Sequence, residues 1–195
     1  MTKVLILGAS GQIARVATTL FLQKPNVQLT LFARRAKSLS GLPSPVQVIE
    51  GDVLDEAALQ AAMVGQDVVY ANLAGELVPM AHNIVRAMNA TGLKRLIFIS
   101  SMGIYDEIPG ERTGSILDPY RQSAAIIETS NLDYTLIRPA WLNNQDTIAY
   151  GTTQKGEAFK NAAATVSRKS VADLVVKLVL NQGLEINASL GVHHA

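Results

Sequence analysis

Short apolar runs alternate along the chain with longer stretches whose apolar positions recur at helical spacing. Val4-Leu5-Ile6-Leu7 is apolar at every position, the pattern of a strand buried on both faces. The apolar spacing from Ile13 to Leu22 predicts a helix over about 12–23. Strands are predicted over Gln28–Phe32 and, after a loop holding Pro43 and Pro45, over Val46–Glu50. Glu56–Met63 reads as a short helix with Asp55 as its N-cap. Asp67–Ala71 is the fourth strand, Pro79–Ala90 a helix with proline in its first turn, and Leu96–Ser100 the fifth strand. A helix over Asp118–Ser130 follows, then a strand over Tyr134–Arg138 that Pro139 stops.

Towards the end, Ser170-Val171-Ala172-Asp173 reads as a capping box with Asp in place of Glu or Gln, opening a helix to about Leu180. Ala188–Val192 reads as a last short strand, and His193 and His194 as a frayed tail rather than a metal site. Trp141 to Val166 is the least patterned part. The alternation predicts an α/β chain: a doubly wound parallel sheet with helices on both faces, in a single domain over residues 1–195. Ligands of such sheets bind beyond the carboxyl ends of the strands, so residues 141–166 are the expected substrate-side segment.

Composition narrows the partners. The chain has 195 residues, 48% hydrophobic and 17% charged, enough for one core without staples. Seventeen basic residues against sixteen acidic ones leave a formal charge of +1, without the basic field that nucleic-acid binders need. The absence of cysteine excludes disulfides, thiolate metal sites and cysteine nucleophiles, and fits a reducing compartment. The apolar run before Gly8 is too short for a signal-peptide core. No stretch reaches the roughly 18 apolar residues of a membrane span. A cytoplasmic protein with a small-molecule partner, monomeric or homodimeric, is the expectation.

The stretch Gly8-Ala9-Ser10-Gly11-Gln12-Ile13-Ala14 joins the first strand to the first helix. Glycines permit a sharp turn and close approach of the backbone to a pyrophosphate. The helix N-terminus offers unpaired N–H groups to phosphate oxygens. Gly8, Ser10, Gly11, Gln12 and Ile13 are therefore candidate cofactor contacts, with Ala14 small enough for the helix to sit close to the strand. A plain tight turn is the competing reading, because the spacing is G-x-x-G-x-x-A.

The second strand leads into Arg34-Arg35, where an NAD site would carry Asp or Glu for the ribose 2′-hydroxyl. Two guanidiniums suit a 2′-phosphate, which favours NADP(H) over NAD(H). Otherwise they are a solvated loop. After the third strand, Asp52 is placed to bond the adenine amino group and Val53 to pack on the ring, or Asp52 is a cap. After the fourth, Ala74 and Gly75 are small enough to admit a ribose.

These motifs, with Phe98-Ile99-Ser100-Ser101-Met102-Gly103-Ile104-Tyr105, Pro119-Tyr120 and Asp133-Tyr134-Thr135-Leu136-Ile137-Arg138-Pro139-Ala140-Trp141-Leu142, stand in one order along almost the whole chain. In that order they resemble an atypical short-chain dehydrogenase/reductase of the NmrA-like, NAD(P)-binding group. The resemblance implies a Rossmann-type fold and NAD(P) binding. It implies Ser101 as the active-site serine, with Ser100 as the neighbouring possibility and a cofactor contact. It also implies Tyr120 as the tyrosine of a Tyr-x-x-x-Lys pair, and Pro139, Ala140 and Leu142 beside the nicotinamide.

The lysine of that pair is replaced by Ala124. A phenol without such a partner, with a pKa of about 10, is a poor proton relay at neutral pH. Tyr120 is then either the acid or a packing residue, and Tyr105 either an alternative proton donor or a pocket wall. Trp141 and Tyr150 are candidates for an apolar substrate site, with core packing the other reading of Trp141. Two functions follow. One is an NADPH-dependent oxidoreductase acting on a small electron-poor or aromatic substrate such as a quinone, flavin or activated carbonyl. The other is a non-catalytic redox sensor.

Overall fold

Successive residues of the first strand, β1 (Thr2–Leu7), face opposite ways: Val4 and Ile6 enter one apolar cluster, Leu5 and Leu7 another. The period of two puts a fully buried side chain on each face, which is why the run carries no polar position. The computed structural model describes residues 1–43, 45–108, 110 and 114–195.

The sheet is completed by β2 (Val27–Ala33), β3 (Gln47–Glu50), β4 (Val68–Ala71), β5 (Arg95–Ile99), β6 (Asp133–Pro139), β8 (Gly151–Gln154) and β10 (Ala188–His193). A separate two-stranded sheet pairs β7 (Trp141–Asn143) with β9 (Thr165–Ser167). Strand order in the main sheet is β3-β2-β1-β4-β5-β6-β10-β8. All neighbours are parallel except β10 and β8.

Helices α1 (Gln12–Phe21) and α5 (Arg168–Leu180) cover one face through residues such as Ala14, Ala17, Val171 and Val175. Helices α2 (Glu56–Met63), α3 (Leu77–Thr91) and α4 (Asp118–Glu128) cover the other through Leu59, Ile84, Ala124 and Ile127. This is the doubly wound, Rossmann-type α/β arrangement expected, with one antiparallel edge strand added. The order runs outward in both directions from β1 and β4, so the crevice beyond their carboxyl ends is the topological switch point.

Local chemistry accounts for the boundaries. The Asp55 carboxylate accepts from Ala58 N–H at 3.1 Å and caps α2 as expected. Helix α3 ends at Gly92, whose left-handed φ of +73° allows the cap. The fifth helix begins earlier than Ser170. Its cap is Ser167, whose hydroxyl accepts from Ser170 N–H at 2.9 Å. Asp173 instead pairs with Lys177 on the helix surface at 2.7 Å. Ser167, the last residue of β9, meets the free N–H groups first, so the box read at Ser170 is one turn late.

Two further expectations are corrected. The segment from Trp141 to Val166 holds β7, β8 and the start of β9, each only three or four residues long and too short to show a period. His193 is the last residue of β10 and is buried. Its ring lies edge-on to Phe159, 6.1 Å between centroids, so it belongs to the core and not to a frayed tail. No cluster of metal-ligating side chains occurs among the described residues, and none of the described helices is long and apolar enough to cross a membrane.

Two arginines are buried within the sheet. Arg95 bonds Asp133 O, Thr135 Oγ1 and Leu184 O at 3.0, 2.8 and 3.0 Å, and burial pushes its guanidinium down to about 10 against the opposing pull of Asp133. Arg138 is fully buried and paired with Glu107, itself almost enclosed. Glu107 accepts from Gly103 N–H at 3.0 Å and Tyr105 N–H at 2.9 Å. The pair thus fastens the loop after β5 onto the sheet.

Candidate functional site

The turn after β1 is built by hydrogen bonds that leave its outer side open. Gly8 and Ala9 N–H both donate to Phe32 O on β2, and Gly11 N–H closes back on Gly8 O at 2.9 Å. Gly11 is the N-cap of α1, and no side chain caps the helix. Its first turn carries no acidic residue, so the free N–H groups and positive dipole end are available to an anion.

Above this turn lies a cavity of about 660 Å³. It brings together eight of the expected cofactor positions: Gly8, Ser10, Gly11, Arg34, Arg35, Asp52, Val53 and Ala74. The end of β2 carries Arg34 and Arg35, both exposed, and no carboxylate. Asp52 Oδ1 accepts from Leu54 N–H at 3.0 Å, so the carboxylate shapes its own turn as well as lining the cavity. That turn is tied to α3 by Asn83, whose side-chain amide donates to Val53 O and Leu54 O, each at 3.0 Å. Val53 is buried against the cluster under α2 and α3.

Eight further lining residues were not among the expected cofactor contacts, Phe32, Ala33, Gly51 and Leu73 being neighbours of expected ones. Asn72 directly follows β4, with its N–H donating to Leu7 O at 3.0 Å. Arg15 stands one helical turn beyond Gly11, on the face of α1 that meets the cavity. Ser38 and Met80 line it as well. The available signals were a polar residue at the end of a buried strand and a charge one turn inside the phosphate helix.

The other expected cofactor positions lie outside this cavity. Gln12 is exposed at the start of α1, and Ile13 is buried beneath it. Gly75, at φ +96°, follows Ala74. Ser100, Pro139 and Ala140 lie at the carboxyl ends of β5 and β6, on the same sheet edge as the glycine turn. Ser100 N–H donates to Ile137 O at 2.7 Å, Met102 N–H to Pro139 O at 3.3 Å, and Ala140 N–H to Val192 O at 2.8 Å. The Ser100 hydroxyl is buried without a hydrogen-bond partner among the described residues. Leu142 is partly buried in β7.

Of the candidate catalytic groups, the Ser101 hydroxyl donates to Met102 O at 3.1 Å. Tyr105 OH lies 2.6 Å from Glu128 Oε1 and 3.2 Å from Ser189 Oγ, with Lys155 Nζ 4.4 Å from its ring centroid. Burial first, and the bond to Glu128 second, push its phenol well above the ordinary tyrosine range. Tyr120 packs partly buried on the α3–α4 side. Ala124 is fully buried there, one turn further into the core.

The two candidate substrate residues part company. Trp141 is 67% exposed at the start of β7, so it is not a core residue. Tyr150 lies against α5. Its hydroxyl donates to Asp173 Oδ2 at 3.0 Å and accepts from Lys177 Nζ at 3.0 Å. Burial raises the Tyr150 phenol, and the bond from Lys177 opposes that shift.

A protein-family model described as NAD(P)H-binding matches residues 8–182. Among solved structures, a Rossmann-fold NAD(P)-binding family protein from Shigella flexneri is 43% identical, covering 100% of this chain and 94% of that one, with a TM-score of 0.88. A short-chain dehydrogenase/reductase from Veillonella parvula, solved in complex with NADP, is 27% identical over 99% of this chain and 94% of that one, with a TM-score of 0.90. A (4-alkanoyl-5-oxo-2,5-dihydrofuran-3-yl)methyl phosphate reductase from Streptomyces griseus is 27% identical over 93% of this chain, which spans 64% of that protein's length.

Proposed function

The chain belongs to the NAD(P)H-binding family. On that premise we propose that it is an NADPH-dependent oxidoreductase reducing a small electron-poor or aromatic substrate, such as a quinone, a flavin or an activated carbonyl. One observation carries the cofactor assignment: Arg34 and Arg35 line the cavity at the end of β2, where no carboxylate stands. The residues present fit the dinucleotide. Among the described residues the helix start has no side-chain cap and the Ser100 hydroxyl no hydrogen-bond partner, and the two guanidiniums are exposed at the cavity, as a phosphate or amide would require. The NADP complex of the Veillonella parvula relative supports the same choice.

When bound, the nicotinamide supplies hydride, and the protein's task is orientation and electrostatics. Ser10 and the free N–H groups that open α1 would hold the pyrophosphate, with Gly8 and Gly11 allowing its close approach. Arg34 and Arg35 hold the 2′-phosphate. Asp52 and Val53 take the adenine, and Ala74 and Gly75 the ribose. Ser100, Pro139, Ala140 and Leu142 line the nicotinamide end. Ser101 orients the acceptor, and the exposed Trp141 offers it a flat apolar face.

Proton delivery sets the substrate class. Tyr105 holds its proton against Glu128 in a raised-pKa environment and is a weak acid there. Tyr120 has no lysine partner, because Ala124 occupies that place in the core. The protein therefore suits acceptors that need little acid catalysis, taking their proton from water. The reductase from Streptomyces griseus supports a reductive reaction. The chain works in the cytoplasm as a monomer or homodimer.

The absent lysine favours one second reading, a non-catalytic redox sensor. Following NADPH absorbance with quinone, flavin and aldehyde acceptors separates the two. Turnover with any acceptor supports the enzyme. Tight binding of one redox form without turnover supports the sensor, since only differential binding shifts a conformational equilibrium.

A further inference from the structure

The loop that carries Arg34 and Arg35 is hung from two anchors. On one side, Ala36 N–H donates to Glu50 Oε2 on β3 at 2.8 Å. On the other, Arg15 of α1 reaches across. Its Nε donates to Ser10 O at 3.0 Å and its Nη2 to Ser38 O at 2.8 Å. Ser38 in turn is bound to Arg35: its N–H and its hydroxyl both donate to Arg35 O, at 3.1 and 2.7 Å. One planar fork thus spans the glycine turn and the short 3-10 turn Ala36–Leu39.

The placement is specific to a guanidinium. Two carbonyls on separate loops are met by two nitrogens of one rigid plane, which an ammonium cannot do. Arg15 lines both the 660 Å³ cavity and a neighbouring hollow of about 150 Å³ that also touches Thr18, Leu31 and Leu39.

We propose that Arg15 is a positioning residue for cofactor choice, setting the distance between the pyrophosphate turn and the 2′-phosphate loop. The inference rests on the reading of the cavity as an NADPH site. Arg15 acts through Ser38 on Arg35, so its loss is felt by the 2′-phosphate and hardly by the parts that NADH shares.

The test is calorimetric titration of NADPH and NADH against wild type, Arg15→Met, Arg15→Lys, Arg34→Ala/Arg35→Ala and the combined Arg15→Met/Arg34→Ala/Arg35→Ala variant. Arg15→Met is expected to weaken NADPH about tenfold, the worth of one charge-assisted contact, and NADH less than about threefold. Arg15→Lys should resemble Arg15→Met, because charge without the fork does not brace two loops. Adding Arg15→Met to the double variant should change nothing further.

Equal loss of NADPH and NADH would overturn the proposal and put Arg15 on the pyrophosphate. Full rescue by lysine, or additivity in the combined variant, would overturn it in favour of a direct phosphate contact. An unchanged Arg15→Met protein would show the brace to be idle. If wild type itself does not prefer NADPH, the cofactor reading fails, and that result is distinct from all of these.

Discussion

The side-chain amide nitrogen of Asn72 fills the space that a Cβ on residue 11 would need, 2.1 Å away, so Gly11 is a glycine because of Asn72. The same residue explains Gly8, where a Cβ would lie 2.2 Å from the Asn72 carbonyl oxygen. The two glycines differ in kind. Gly11 has φ −64°, open to any residue, and its nearest obstacle is a side chain. Gly8 has φ +72° and faces backbone.

Gly11→Ala is therefore expected to cost about 1 kcal/mol of stability, most of it restored when Asn72→Ala is added. Gly8→Ala should cost more, about 2–3 kcal/mol, with no rescue by Asn72→Ala. Urea denaturation of the singles and doubles measures this. Equal rescue at both glycines would show that the two obstacles are not what they are here taken to be.

Ala124→Lys should not restore a proton relay. The position is fully buried in the apolar cluster that also holds Ile127 and Leu132, where burying an ammonium is costly. A clear drop in thermal midpoint without gain of turnover is the expected outcome. Tyr120→Phe should leave turnover within about threefold, since a single general-acid contribution is typically a hundredfold or more. A hundredfold loss in Tyr120→Phe would reinstate that phenol as the acid.

Arg138→Met leaves the enclosed Glu107 carboxylate without its cation and should cost about 3–5 kcal/mol. Adding Glu107→Gln to it should recover part of the loss, because the stranded charge is then gone. Chemical denaturation reads both. Proteolysis within residues 103–108 should become faster in the single variant, as that loop is held by Glu107.

Tyr70 is fully buried in β4, and its hydroxyl has no hydrogen-bond partner among the described residues. Burial pushes its phenol far above the ordinary range, so the folded chain keeps it protonated. The unfolded chain ionises above a pH of about 10, and stability from this residue is complete below that and lost as pH rises further. Tyr70→Phe should raise stability at neutral pH by about 1 kcal/mol and flatten the alkaline decline. Thermal melts at neutral and alkaline pH compare the two. A less stable variant would mean the hydroxyl is satisfied.

Much of this was legible in the order of residues. The apolar run before Gly8, the proline in the first turn of α3 and the Asp55 cap each fix an element by local chemistry alone. Much of the cavity lining was legible for the same reason: glycines and arginines stand directly beside the strand ends that position them. Arg15 and Asn72 were not, because their roles depend on partners far along the chain, Ser38 for one and both glycines for the other. The short strands β7, β8 and β9 escaped because tertiary pairing, not periodicity, creates them. Ser167 was passed over for Ser170 because two serines compete for one helix start, and only the end of β9 decides between them.

The central claim is that this cavity selects NADP(H) by its arginines. Calorimetric titration of wild type and Arg34→Ala with NADPH, NADP⁺ and NADH at one salt concentration tests it most directly. The account predicts tight binding of both NADP forms, weak NADH, and a loss of about 1.5–3 kcal/mol for NADPH alone in Arg34→Ala. Equal losses for NADPH and NADH, or no binding of any dinucleotide by wild type, would contradict it.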